Sequence, residues 1–561
     1  MKDFLKKITK SPNLLPLVLV IFFAVLASRQ LFRPGYFNIH DDLQMMRQLE
    51  VEKCILDGQI PCRWIPDMGY GFGFPLFNFY PPLPYLVGQV VRFFGFTFVS
   101  TVKILFVIAF IFSGITMYFL AKKFFGRMGG ILSAFFYIWA PYHSVDIYVR
   151  GAMNEAWALI WFPAILLFSY KLIIDKRNSS KIFLGLSLSW FTLLMSHNLM
   201  VLIFSPVFAG WCLIWIIKYR KITCIKNLVL SGLLALGLAA FFTLPAIAEQ
   251  KYVQVNTLVQ GYYEFIAHFA SLNQLLISRF WGYGPSIWGD NDGMPFQIGH
   301  LHWILSIFLG ILLVSKILKT RRIDSFLLSL FYFLLIGWFS LFMAHSRSTP
   351  IWQAIPPLKF VQFPWRFLTI TTLSFSFIAG SVVVFLKKYR LLLTSVLVAS
   401  ALVLNWSYFR PEKIGPLTDE EKFTGAAWEL QQTAGIYDYL PVWAREAPKE
   451  PAKIGAEYLK GGRVYGIKQG TNRISFKIDG DGGVVRINTF YFPDWKVFVD
   501  GSQVPTFIND DKWGRIHLTV RPGEHFVEAK LFDTPVRKIG NLISFASWIW
   551  LGIFFVKRKS K

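Results

Sequence analysis

Long apolar runs separated by short basic clusters recur along most of this chain. Most are long enough to cross the ~30 Å hydrocarbon layer of a bilayer as helices. The first, Leu14–Ala27, follows Lys2, Lys6, Lys7 and Lys10. No small-x-small cleavage site with a soluble domain behind it follows, so the run is read as an uncleaved first span. Pro82–Phe96 is apolar but short and opened by proline, and Thr97–Ala121 comes next. If Pro82–Phe96 crossed, every later basic cluster would lie outside. If it is a juxtamembrane or re-entrant helix, Lys122/Lys123/Arg127, Lys176/Arg177/Lys181, Lys218/Arg220/Lys221/Lys226, Lys316/Lys319/Arg321/Arg322, Lys387/Lys388/Arg390 and Lys557–Lys561 all lie inside. The second arrangement obeys the positive-inside rule throughout. The remaining spans then fall at 129–146, 153–174, 181–197, 199–217, 227–247, 301–317, 324–343, 367–386, 391–408 and 539–556. That predicts about twelve crossings of the plasma membrane, with both termini cytoplasmic.

Polar stretches fill the gaps on the outer side. From 409 to 537 the pattern changes to the alternation of strands, in 473–478, 484–488, 496–499 and 526–531. Asp500-Gly501 and Pro522-Gly523 are turn signals between them. The expected fold is a polytopic α-helical membrane protein with a C-terminal extracytoplasmic β-sandwich-like domain. The expected division is a transmembrane domain at 1–408 with outer loops 29–97 and 249–300, the β domain at 409–537, and a final helix with a basic tail at 538–561.

Composition agrees. Hydrophobic residues make up 54% of the chain and charged residues 16%, well under the roughly 25% usual in soluble proteins. The net charge of +25 would suggest nucleic acid in a soluble protein, but here the cations sit in topology-setting clusters beside anionic lipid. Nucleic acid is therefore excluded as a partner. Cys54 and Cys62 share the loop after the first span, where a disulfide is one of two open outcomes. The four cysteines have no metal-site spacing.

Charged and polar residues in outer loops are the candidates for chemistry. Asp41 and Asp42, beside His40, suit a general base or simply the start of the helix that follows. Glu155 enters a span near its outer end, where a carboxylate needs a partner. Arg150 is either that partner or a grip on an anionic substrate. His197 suits a helix cap or a donor to phosphate or sugar. Arg366 suits interfacial snorkelling or binding of a lipid phosphate. The loop 249–300 adds Arg279, Trp281-Gly282-Tyr283-Gly284, the weak pair Asp290-x-Asp292, and His300, with His302 just past it. Its aromatics suit an interfacial belt or stacking on sugars. No P-loop, G-x-S-x-G, H-E-x-x-H or Rossmann signature is present, which excludes nucleotide-driven chemistry of those kinds.

The chain resembles the GT-C superfamily of membrane glycosyltransferases. More closely it resembles the membrane proteins named "6-pyruvoyl-tetrahydropterin synthase-related", whose name does not imply pterin chemistry, and the YfhO-like group. The matching stretches are His40-Asp41, Gly58-Gln59-Ile60-Pro61 with Arg63-Trp64, Gly69-Tyr70-Gly71 through Tyr85, Arg150-Gly151 with Glu155, Ser196-His197, Gln362–Phe367, and Tyr491–Val497. The resemblance implies inverting transfer of a sugar from a polyprenyl-phosphate-linked donor to an extracytoplasmic glycan, lipid or protein acceptor of the cell envelope. It implies Asp41 as general base with Glu155 beside it. His40, Asp42, Arg150, His197, Arg279 and Arg366 would then bind substrate. Related sequences often carry a second histidine just after the aspartate, where this chain has Gln44, Met45 and Met46. No residue is assigned to a metal, and the need for a divalent cation, Mg or Mn, stays open. A flippase or transporter of lipid-linked sugars, or a non-catalytic envelope-assembly protein, would be the alternatives. A transporter would need charges deep in several spans and repeat symmetry, and neither is evident.

Overall fold

In the computed structural model the described residues are 13–175, 179–289 and 291–559. Lys2, Lys6, Lys7, Lys10, Lys176, Arg177, Asp290 and Lys561 lie outside them. Among the described residues seven helices are long and apolar enough to cross a membrane, or eight if the pair Cys224–Leu238 and Ala240–Ala248, bent by 80°, is one broken span. Large apolar side chains on them point outward: Ile311 is 63% exposed and Val403 79%, as lipid-facing positions require. The chain is a multi-pass membrane protein.

Among the described residues, length and hydropathy alone account for seven or eight crossings. The expected spans 97–121 and 129–146 correspond to two helices within Phe98–Ile138 that meet at a break at Gly126, φ 75°. Leu14–Ala27 and Ser180–Leu194 are apolar but shorter. After Ala140 the chain does not continue as a span. Pro141 starts a separate short helix, and Val145–Val149 follows as a π-turn.

The chain packs as two units, and they cut across the expected domains. One comprises Met1–Asp42, Val99–Ala235 and Gly261–Leu417. It holds most of the apolar helices. A two-stranded ribbon, Tyr36–Phe37 on Ile414–Gly415, closes its ends.

The other unit comprises Leu43–Phe98, Leu236–Gln260 and Thr418–Lys561. Its centre is an antiparallel sandwich. In order across the sheet, five strands run Gly462–Gln469, Arg473–Gly480, Gly523–Leu531, Trp495–Val499 and Ser502–Val504. Three more run Ala456–Tyr458, Gly483–Phe490 and Arg515–Val520. Alternation decides the faces: Val527, Ala529 and Leu531 are buried while Phe526 is exposed. Inward residues of both sheets share one core with Trp64, Phe72 and Phe79. The Gly-rich aromatic stretch after Gln59 thus serves this core. Gly73 shows why glycine is needed there: a Cβ would meet the Trp64 indole at 2.4 Å.

Cys54 and Cys62 are joined, with S–S 2.08 Å. The helix Leu83–Phe93 is too short to span, and Val90, Phe93 and Phe94 are exposed along it. The helix Gln44–Leu56 follows Asp41 and Asp42 directly, with Leu43 as its N-cap residue. It carries the fully buried Glu50, close to Asp67 and Lys53. Burial and the Asp67 carboxylate push Glu50 well above the usual carboxylate range. The fold therefore favours protonated Glu50. That contribution is full below the ordinary carboxylate value and is lost as pH rises through the raised one. Each unit of the shift removes about 1.4 kcal/mol at high pH. Glu50→Gln is expected to unfold at a higher temperature than the parent at pH 8 and to lose that advantage at pH 4. Equal unfolding temperatures at both pH values would refute this.

Candidate functional site

The site is built in the first unit, where the π-turn Val145–Val149 meets the start of the helix Met153–Ile174. π-Turns re-aim side chains that a regular helix would space differently. Here Asp146 and Arg150 are joined, Nη1 to Oδ1 at 2.5 Å. Arg150 Nη2 lies 2.8 Å from Glu155 Oε2. Tyr142 donates its hydroxyl to Glu155 Oε1 at 3.0 Å. Arg366, in the turn Pro364–Phe367, places Nε 3.6 Å from the same Glu155 Oε2. Glu155 is thus shared by two guanidinium groups. Its side chain is wholly buried, while those of Arg150 and Arg366 keep 9% and 11% exposure. A buried carboxylate is tolerable only with such partners.

Aromatic rings cover the cations. Arg150 stacks over Trp365 at 4.5 Å and Arg366 over Phe363 at 4.9 Å. Those rings stack on each other at 4.8 Å. Arg366 is braced through Nη1, which donates to Val361 O at 2.7 Å and Gln362 Oε1 at 3.0 Å. Gln362 adopts a left-handed φ of 66° to present that oxygen.

Backbone hydrogen bonds strap the loop after the first helix to this cluster. His40 N donates to Val149 O at 3.0 Å and Asp41 N to Arg150 O at 2.9 Å. Gly151 permits the approach: it has φ +62°, and a Cβ there would meet Ile39 at 2.4 Å. Asp41 is half-buried. Burial lowers the His40 imidazole below its ordinary value; the Tyr283 carbonyl it bonds at 2.9 Å opposes that and Arg150 adds to it.

The cluster's charge follows from its partners. Burial and the Glu155 carboxylate push Asp146 well above the usual carboxylate range. Burial would lower Arg150, but Glu155, Tyr142 and Asp146 together hold it above its ordinary value. Two guanidinium groups and two carboxylates thus make up the buried cluster.

His197 faces the same group of charges. Its Nδ1 accepts from Leu199 N at 3.2 Å and Met200 N at 3.4 Å, so it caps the helix Asn198–Tyr219. Burial and the Arg366 guanidinium push it down to about 3, which suits an acceptor ring. Asn154 ties the neighbouring turn by donating to Ser196 O at 2.8 Å.

Other expected residues sit elsewhere in their contacts. Arg279 donates to Leu404 O at 3.0 Å and lies over Tyr408, with no bond to the cluster. Trp281 stacks on Tyr408 at 4.6 Å. Asp292 accepts from Gln274 Nε2 at 2.7 Å and from Ile287 N at 2.8 Å, so it braces its own loop. His302 bonds Phe136 O at 3.0 Å. Asp42 is half-buried next to Asp41. Asp146 and Tyr142 were missed by sequence reasoning. Pro141, which ends a helix, and the spacing of Asp146 four residues before Arg150 were the signals available.

Among the described residues no group of three His, Cys, Asp or Glu side chains could hold a metal ion. The buried carboxylates of the cluster are matched to guanidinium groups instead. No step is routed through a metal ion.

No protein-family model matches the chain. An uncharacterized protein of Lactococcus lactis subsp. cremoris is 24% identical over 247 residues, 42% of this chain and 39% of that protein. Among solved structures, the Archaeoglobus fulgidus oligosaccharyltransferase tethered to an acceptor peptide aligns with TM-score 0.45 and 12% identity. That alignment covers 82% of this chain and 62% of the other. The arabinofuranosyltransferase AftD from Mycobacteria aligns with TM-score 0.42 and 10% identity, over 73% of this chain and 28% of that one. The chain thus spans less than two thirds of each of these proteins.

Proposed function

We propose that the chain is a GT-C-type glycosyltransferase of the cell membrane, with both termini in the cytoplasm. It moves a sugar from a polyprenyl-phosphate-linked donor to an extracytoplasmic glycan, lipid or protein acceptor, with inversion. The observation that carries this reading is the strap from Asp41 N to Arg150 O, 2.9 Å. It sets a carboxylate residue beside a buried cluster that holds two guanidinium groups. A base beside an anion-binding group is what attack on a sugar phosphate requires.

Asp41 takes the proton of the acceptor hydroxyl as its oxygen bonds to the anomeric carbon. The bond from that carbon to the phosphate oxygen breaks, and polyprenyl phosphate leaves. Arg366 and Arg150 stabilise the charge gathering on the phosphate. Glu155 holds the two guanidinium groups in place, and so acts on position rather than on the proton. His40 and Asp42 flank the base, and His197 fixes the turn beside Arg366. The test is incubation of purified protein with radiolabelled polyprenyl-phosphate sugars. Release of the lipid phosphate with label joined to an acceptor is expected. No release across pentose, hexose and amino-sugar donors would overturn the reading.

A further inference from the structure

The five-stranded sheet has one face in the shared core and one turned away from it. On the second face Phe498, Gly501, Phe526, Glu528, Lys530 and Phe532 line a groove of about 320 Å³. Phe526 is 45% exposed. The turn at Asp500-Gly501 ends the groove, and a Cβ on Gly501 would meet nothing within 4 Å.

The charges in the groove are arranged against the ordinary preference of a sheet. Lys530 lies directly opposite Lys496 in the register of neighbouring strands. Like charges in opposite positions destabilise a strand pair. Among the described residues neither lysine forms an ion pair within the protein. Both ammonium groups share one ring instead, at 5.4 and 5.6 Å from the centre of Phe532. Lys477 and Arg473, on the next strand, already have partners in Glu524 and Asp57. Of the uncompensated pair, Lys530 lines the groove and Lys496 lies opposite it on the neighbouring strand. An anionic group seated between the two lysines would remove their repulsion.

The rest of the groove says what carries that anion. Phe498 and Phe526 flank Glu528, which pairs across the sheet with Phe498 on one side and Ser475 on the other. Aromatic faces stack on sugar rings, and a carboxylate accepts hydrogen bonds from hydroxyl groups. A bare anionic membrane surface or an acyl chain would leave Glu528 repelled or unused.

We propose that this face of the sandwich docks an anionic glycan. Lys496 and Lys530 hold its phosphate or carboxylate, Phe498 and Phe526 stack its sugar rings, and Glu528 takes its hydroxyl protons. The groove lies wholly within the sandwich and stands independently of sugar transfer at the Arg150 cluster.

The test is calorimetric titration of the full chain in detergent micelles with oligogalacturonate. A malto-oligosaccharide of equal length and inorganic phosphate serve as the other arms. Oligogalacturonate is expected to bind, with the neutral oligosaccharide and free phosphate each about tenfold weaker or worse. Lys496→Gln combined with Lys530→Gln, and separately Phe526→Ser, should each weaken oligogalacturonate by about tenfold. The lysine variant should unfold no earlier than the parent, since it removes a like-charge pair, and Phe526→Ser should stay folded, because Phe526 is exposed. Binding of oligogalacturonate by either folded variant as tightly as by the parent overturns the proposal. So does equal binding of the neutral oligosaccharide.

Discussion

Asp41→Asn is expected to lower sugar transfer by about a hundredfold to ten-thousandfold, the usual worth of a general base, while the protein stays folded. Asparagine keeps the size and the backbone amide of residue 41, so the hydrogen bond from its N to Arg150 O survives. Residue 41 is only half-buried, and substitutions of this kind away from the core usually change stability by about 0.5 kcal/mol or less. What the variant loses is the capacity to accept a proton. Loss of turnover should therefore fall on kcat, with donor binding little changed, because the guanidinium groups that hold the phosphate are intact. The comparison is initial rates of lipid-phosphate release by parent and variant at matched thermal unfolding. A variant that keeps more than half of the parental kcat would remove Asp41 from the chemistry.

Arg537→Met is expected to destabilise the second unit by about 3–5 kcal/mol, as breaking a buried ion pair does. Arg537 is 1% exposed, and its Nε and Nη2 each lie 2.9 Å from Glu249 Oε2. Asn78 donates to the same oxygen at 2.8 Å, and Thr534 to Oε1 at 2.6 Å. Removing the guanidinium leaves Glu249, itself 2% exposed, with two neutral donors for a full buried charge. The double variant Arg537→Met with Glu249→Met should recover most of the loss, because the orphaned charge goes too. Thermal or urea unfolding of the four proteins gives the coupling. If Arg537→Met alone costs less than about 1 kcal/mol, the network is not a buried ionic clamp.

Parts of this were legible in the sequence for a simple physical reason. Arg150, Glu155 and Arg366 are charges in nearly apolar surroundings, and each had to find a partner there. They found one another. Asp146 escaped because it lies within a run that reads as a continuing span; only Pro141 hints that the helix has ended. The strands Arg473–Gly480 and Gly523–Leu531 show clean alternation and were readable. Gly462–Gln469 was not, since it is an edge strand with almost no buried residue. The stretch from Trp64 to Phe79 was not assigned to a core from the sequence. Its aromatics carry no local sign of where they pack. Their burial depends on strands some four hundred residues later in the chain, and no local periodicity reports a contact of that range.

The clamp between Glu249 and Arg537 also constrains the order in which the molecule can be made. Its unit is drawn from three separate stretches, and the last supplies both the sandwich and the arginine. Until ribosomes have delivered that stretch, Glu249, Asn78 and the Trp64 loop have no interior to enter. They must wait exposed, through most of the synthesis time, for contacts of very long sequence separation. Biogenesis of this protein should therefore lean on chaperones for its middle segments, and ribosomes stalled before Arg537 should leave nascent chains that proteases cut at the Trp64 loop.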